Sequence, residues 1–264
     1  KKWEKLLKLL PGYDSVATAG PGDYFDEEAA GRACAFFPSC LKHVKGTESV
    51  EAGTPFALEP WERAIIGALF GWKRKDGLRR FREALLYVAK KNGKSALAAG
   101  IALYLLVCDG EQGAEIYSAA ASRDQAAIIF SHAAGFVRQE KELRSRLTVY
   151  GARGGSVMRS IVYEERMASY KCLAADADTA DGVNPSGVIV DELHRHKNPE
   201  LAEVLQKSTA ARKQPLVLYT TTADFNRVSL CNNMLKYARA VRDGDTADPS
   251  FLPVIFECSR DDDW

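Results

Sequence analysis

The stretch Ala84–Val107, ALLYVAKKNGKSALAAGIALYLLV, constrains this chain more than any other. It reads as a short apolar strand, Ala84 to Ala89, then a polar turn, Lys90 to Gly93, then a helix from Lys94. The turn ends in Gly93-Lys94-Ser95, the last three positions of the phosphate-binding pattern G-x-x-x-x-G-K-[ST]. Backbone N–H groups in such a turn point inward, and the helix behind adds its positive N-terminal end, so a polyphosphate is held there. Lys91, Asn92, Gly93, Lys94, Ser95 and Ala96 are therefore the candidate nucleotide-binding residues. Lys94 has the reach for the β- and γ-phosphates, and the Ser95 hydroxyl is a candidate Mg²⁺ ligand. The pattern departs from its full form at Val88, where a glycine is wanted. Taken alone, an ordinary strand–turn–helix with a surface lysine fits equally.

A phosphate loop that hydrolyses its nucleotide needs a second, acidic site. An apolar strand must end in an Asp that orients Mg²⁺, followed by a carboxylate that positions the attacking water. Val188-Ile189-Val190-Asp191-Glu192 has that form and follows the loop in the required order. Asp191 is the candidate partner of Ser95 at the metal, and Glu192 the candidate general base. The plainer reading is a buried strand that meets solvent at two acids. The next strand ends in Thr220-Thr221-Thr222. In a parallel sheet the C-terminal strand ends line one crevice, so these hydroxyls are candidates for sensing the γ-phosphate, or simply β-formers reaching a turn.

Elsewhere the chain begins with helices and loops. Residues 1–10 read as a short amphipathic helix stopped by Pro11-Gly12, and 13–25 as loop. A second helix starts at Asp26 and is expected to end at Pro38; residues 41–55 are loop; a third helix spans Glu59 to Phe70. The basic segment Lys73–Arg80 carries five Lys/Arg in eight residues and reads as a solvated surface turn. From Phe81 strands and helices alternate, with strands at 84–89, 114–121, 170–174, 187–191, 215–221 and 253–257. Helices are expected at 123–141, 200–211 and 227–243, and a hairpin around Gly151–Gly155. That alternation means a parallel sheet with helices on both faces. There is no internal repeat.

Net charge is +1, so indiscriminate binding to nucleic acid is not written in the charge balance, although a local patch is compatible with it. The six cysteines show no C-x-x-C pair and read as reduced core thiols. No apolar run approaches the ~20 residues of a membrane span, and the N-terminus lacks the apolar core and cleavage site of a signal peptide.

At this point the residues resemble a known family, the large terminase subunit of tailed bacteriophages. The matching pieces are TPFALEPWERAIIGALFGW, LLYVAKKNGKS, YSAAASRDQA, DGVNPSGVIVDELH, QPLVLYTTTAD and FECSRDDDW, and they run from about Asp26 to Trp264. The resemblance implies an α/β fold, a P-loop NTPase of the ASCE (RecA-like) type, with a mainly parallel central sheet flanked by helices. It implies a helical and loop extension at 1–58, the ATPase domain at 59–254, and at 255–264 the start of a linker to a nuclease domain. No nuclease activity is expected of these residues themselves. The family's P-loop typically lacks the first glycine, so Val88 is then expected. ATP and Mg²⁺ are the implied cofactors.

Carried over by position, Lys94 and Ser95 match the Walker A lysine and metal ligand. Asp191 and Glu192 match the Walker B aspartate and catalytic glutamate, and Thr220–Thr222 the coupling motif. The family usually has an arginine where this chain has Lys90, which keeps the charge but loses the planar fork. Beside Trp61, on the adenine side, Glu62 stands where the family tends to have glutamine, and an ionised carboxylate only accepts. A ring motor needs an arginine from the neighbouring subunit. Arg153, Arg159, Arg227, Arg239 and Arg242 are candidates, with Arg239 and Arg242 favoured. The resemblance further implies double-stranded DNA, a portal protein and a small terminase subunit as partners. It implies a homo-oligomeric ring of five and a place in the host cytoplasm, transiently at the procapsid portal vertex, with no membrane.

Two rivals stand beside the packaging motor. Asp191-Glu192-Leu193-His194 also reads as the D-E-x-H box of a helicase-like ATPase, which needs two tandem domains. A module that binds nucleotide only for assembly would not need Lys94, Ser95, Asp191 and Glu192 together. His194 and His196 form an H-x-H that resembles a metal pair, but a loop by the catalytic crevice reads better. Asp261–Asp263 read as a solvated tail rather than a metal site.

Overall fold

The structure, a computed structural model, describes residues 2–46, 50–120, 123–151, 159–173, 182–195, 200–224 and 229–257. Ser122, Arg153, His196, Arg227, Cys258 and Asp261–Asp263 lie outside them. Eight strands form the central sheet: β3 (Glu83–Tyr87), β4 (Glu115–Ala119), β5 (Thr148–Tyr150), β6 (Ser160–Tyr163), β7 (Ala168–Leu173), β8 (Gly187–Val190), β9 (Leu216–Thr221) and β10 (Phe251–Ile255). Their spatial order is β10-β3-β9-β8-β4-β7-β6-β5. The first six in that order run parallel, and β6 and β5 are added antiparallel. A two-residue ribbon, β1 (Tyr24–Phe25) with β2 (Trp72–Lys73), lies outside the sheet.

The sequences of β8 and β10 are continuously apolar rather than alternating, as is β9 up to its closing Thr220-Thr221, and every residue in the three is buried. That is the pattern of strands covered on both faces. The helix α4 (Lys94–Val107) packs against β4, β7, β8 and β9. At Gly187 it approaches so closely that a Cβ would stand 2.7 Å from the Leu105 side chain. The missing side chain there lets the helix behind the phosphate turn lie flat on the acidic strand. The helix α7 (Glu200–Ser208) lies against β8, and α8 (Leu230–Asp243) against β3 and β10.

The helical N-terminal part, α1 (Lys2–Leu7), α2 (Glu27–Cys40) and α3 (Pro60–Gly71), shares one apolar core with the sheet. Asp26 caps α2 through the Ala29 N–H at 2.8 Å. The sequence predicts that Pro38 ends that helix, and it does not. It sits in the last turn, and the Leu41 N–H closes on Phe37 O at 2.9 Å. Only the one hydrogen bond that Pro38 would have donated is missing there. The helix expected at 123–141 is α5 (Arg123–Gln139), and a short helix not expected from sequence, α6 (Lys141–Arg146), follows it. The expected core cysteines include Cys108, which is exposed; Cys34 and Cys231 are buried.

The largest correction concerns Lys73–Arg80. Arg79 and Arg80 are each 1% exposed, among the most deeply buried large side chains. Arg79 pairs with Asp109 at 2.5 Å, donates to Gln214 O and stacks over Phe70. Arg80 donates to Ser15 O (2.7 Å), Thr18 O (2.6 Å) and Pro249 O (2.9 Å), between the Trp72 and Phe81 rings. A guanidinium has five donors in a fixed fork, so Arg80 reaches acceptors on three separate residues from one side chain, which an ammonium could not span. Arg80 thereby fastens the N-terminal loop to the loop before β10. Arg80→Ala should cost about 3 kcal/mol or more in chemical denaturation, because it leaves buried carbonyls unpaired. Arg80→Lys should recover little. Limited proteolysis should then cut the first 25 residues faster than in the unaltered chain.

Candidate active site

The phosphate turn carries two left-handed residues. Lys91 has φ 68° and Gly93, the N-cap of α4, has φ 72°. Lys91 is the costly one, since a side chain there adds of order 1–3 kcal/mol of strain. The turn is tied by the Asn92 side-chain amide, which donates to Ala89 O at 3.2 Å. Lys90, Lys91, Asn92 and Gly93 are exposed, and Ser95 and Ala96 half-buried. Lys94 is buried. Its ammonium donates to Val88 O (2.8 Å) and Ala89 O (3.0 Å), so it is held inside the turn. Burial pulls its pKa down, and Glu192 and Asp191 oppose that shift. The lysine and both acids therefore share one electrostatic site.

Parallel pairing delivers the acids there. β9 lies between β3 and β8, with Tyr87 opposite Thr221 and Tyr219 opposite Val190. Asp191, one residue past β8, is 2% exposed, and its Oδ1 accepts from Thr220 Oγ1 at 2.5 Å. Burial pushes the Asp191 carboxyl up, against the Thr220 hydrogen bond. A buried carboxylate of this kind gains from a nearby divalent cation, and Asp191 with the Ser95 hydroxyl is a hard oxygen pair suited to Mg²⁺. Among the described residues no cluster of three or more His, Cys, Asp or Glu offers a metal cage.

Glu192 has φ 51°, one of three non-glycine residues in left-handed geometry among the described residues, with Lys91 and Met167. Its carboxylate contacts His194 Nε2 at 3.1 Å and Arg195 Nε at 3.8 Å. Thr221 Oγ1 faces His194 and Cys231, whereas the buried Thr222 Oγ1 has no hydrogen-bond partner among the described residues.

Not every candidate joins this cluster. Arg239 and Arg242 are both held by Glu257, at 2.5 and 2.8 Å, and Arg242 also by Asp243. Trp61 packs edge-on against Phe256, ring centroids 5.4 Å apart. Phe256 follows β10, and its N–H donates to Tyr87 O, so this aromatic pair stands beside the strand that enters the phosphate turn. Phe256 was not singled out by motif, because it reaches the site through tertiary packing; His194 was singled out, as part of a D-E-x-H box and an H-x-H pair, but not as a partner of Glu192.

The family described as "Terminase large subunit, ATPase domain" matches residues 60–240. The chain is similar to the "Terminase, large subunit" of Enterobacteria phage HK97, at 28% identity over 216 residues, covering 80% of this chain and 40% of that protein. It is similar over 84 residues to "Protein YmfN" of Escherichia coli (strain K12), at 29% identity, covering 32% of this chain and 18% of that protein. The crystal structure of the HK97 bacteriophage large terminase superposes with a TM-score of 0.71 at 25% identity, covering 89% of this chain and 45% of that one. The chain thus spans less than half the length of these relatives.

Within the matched segment, Glu62 belongs to a capping box: the Glu59 N–H donates to Glu62 Oε2 at 2.9 Å. Its Oε1 lies 3.9 Å from where a Cβ on Gly93 would stand, so this carboxyl faces the phosphate turn. Burial raises its pKa from 4.5 to about 7, against the Glu59 hydrogen bond. The folded chain holds this proton more tightly than the unfolded chain. The contribution of Glu62 to stability is therefore fully present below about pH 4.5 and lost as pH rises through about 7. Glu62→Gln keeps the capping acceptor and removes the charge. It should raise stability at about pH 8, by up to roughly 3 kcal/mol, and change little at about pH 5. Equal melting temperatures at the higher pH would show that the carboxylate is not desolvated.

Proposed function

The chain belongs to the large terminase subunit family, as its ATPase domain, and from that premise we propose that it hydrolyses ATP at Lys94, Asp191 and Glu192 to drive double-stranded viral DNA into a procapsid. The observation that carries this reading is the convergence of three strand ends. The phosphate turn after β3, Thr220 on β9 and Asp191-Glu192 after β8 meet at one edge of the sheet.

In this reading the turn N–H groups and the α4 N-terminus hold the triphosphate, and Lys94 leaves its carbonyl partners for the β- and γ-phosphates. Ser95 and Asp191 hold Mg²⁺, which supplies charge neutralisation at the phosphates. Glu192 orients the attacking water and takes its proton. Thr220 shares a hydrogen bond with Asp191, and Thr222 has an unspent hydroxyl, so the coupling strand is placed to feel the loss of the γ-phosphate. Lys90, exposed at the start of the turn, supplies a second cation on the phosphate side. Trp61, with Phe256 behind it, gives the base an aromatic edge, and Glu62 faces the turn rather than open solvent.

Portal protein, small terminase subunit, a ring of five and the procapsid vertex in the host cytoplasm belong to the same proposal. Of the two favoured trans arginines, Arg239 is 43% exposed against 18% for Arg242, so Arg239 is the better placed to reach a neighbour once Glu257 releases it. The helicase-like alternative gains nothing from the comparisons, since the matched family is the terminase ATPase domain.

ATP turnover by Glu192→Gln beside the unaltered chain tests the assignment. A loss of about 10²–10⁴-fold is expected, the usual worth of a positioned general base. Unchanged hydrolysis would remove Glu192 from the mechanism. Lys90→Arg restores the fork typical of the family and should hydrolyse ATP as fast or faster; a loss above about tenfold would give Lys90 a role of its own.

A further inference from the structure

His194 lies in a tight 3-10 turn, Leu193–Arg195, directly after the left-handed Glu192. The Arg195 N–H donates to Glu192 O at 2.7 Å and closes that turn. The imidazole is thereby carried back over the acid. Its Nε2 stands 3.1 Å from Glu192 Oε2, with the His194 side chain 13% exposed. The other ring nitrogen, Nδ1, stands 3.2 Å from Thr221 Oγ1, and the His194 backbone N–H donates to the same oxygen at 3.3 Å. A carboxylate only accepts, so Nε2 is the nitrogen that carries a proton toward Glu192. Thr221 supplies its one hydroxyl proton to the bare Nδ1, and its oxygen is itself fixed, 3.1 Å from Thr222 O and 3.3 Å from Cys231 Sγ in the first turn of α8.

We propose that His194 is a positioning residue, which fixes the Glu192 carboxylate and ties it to Thr221 on the coupling strand. The inference rests on Glu192 as the general base. A glutamate side chain has three free torsions, and ordering them costs of order 1.5–2 kcal/mol. The contact with Arg195 is too long and too exposed to hold them. His194 holds one end of the acid while two contacts from Thr221 hold His194. The base and the strand that senses the γ-phosphate then move as one unit. The same grip restrains Glu192 in a backbone geometry that a glutamate rarely adopts. His194 itself touches neither nucleotide nor water in this scheme.

The test is single-turnover ATP hydrolysis with the full chain in excess, using His194→Ala, His194→Gln, Thr221→Val and the double variant His194→Ala/Thr221→Val. ATP affinity and melting temperature are measured on each. His194→Ala should slow the step at saturating ATP by roughly 10–100-fold, the cost of a misplaced reacting group, with ATP affinity within about twofold. His194→Gln keeps an N–H donor for Glu192 and should recover much of the rate; it also carries the test if the alanine variant melts early. The double variant should be no slower than the slower single, because both substitutions cut one connection. His194→Ala at the unaltered rate, a double loss equal to the product of the singles, or a loss confined to ATP affinity would each overturn the proposal. An active Glu192→Gln would instead refute the general-base reading on which it rests.

Discussion

The insertion of β9 between β3 and β8 is the constraint on which the site depends. Parallel pairing on both sides fixes how far each strand reaches, and so brings the phosphate turn, the threonines and the acids to one edge. Side chains alternate along a strand, so Thr220 and Thr221 address opposite faces. Thr220 meets Asp191, while Thr221 meets His194 and α8. One strand therefore contacts Asp191 from one face and His194 from the other. A slip of one residue would exchange the two faces and break both. Burial of β9 on both sides guards against that slip.

Buried charge is used in two ways in this molecule. Arg79 and Arg80 are fastened on several sides by carbonyls, a carboxylate and aromatic rings, and they join the N-terminal helices to the sheet. Lys94, Asp191 and Glu62 are buried with their pKa values displaced by desolvation. Burial displaces Arg80 as well, so it is their place beside the phosphate turn and the acidic strand end, not the shift alone, that sets these three apart. The left-handed backbone at Lys91 and Glu192 falls in the same place, one on each side of the proposed reaction.

The site was legible in unequal parts. Gly93-Lys94-Ser95 and Asp191-Glu192 were readable because the chemistry demands those residue types at the ends of apolar strands, and the structure brings them together. The threonines were readable as a row but not as two faces. His194 was visible as half of an H-x-H pair and as the end of a D-E-x-H box, but not as a partner of Glu192. The turn that folds it back on Glu192 depends on a left-handed residue that no propensity predicts. Phe256 was unreadable as a neighbour of Trp61, because the two are brought together only by β10 pairing with β3. Arg79 and Arg80 were misread for the opposite reason: a basic run looks solvated unless its acceptors, which lie far away in the chain, are known.

The sequence by itself determined the α/β class, the parallel sheet, the phosphate turn and the acidic strand. Those follow from local periodicity and from short motifs whose chemistry is carried by neighbouring residues. Tertiary structure alone decided the strand order, the burial of Arg79 and Arg80, the orientation of Glu62 toward the turn, and the Glu192–His194–Thr221 connection. Each of these joins residues through pairing or packing across the fold. Such contacts are set by the register of strands and the approach of helices, and no local window of sequence contains them.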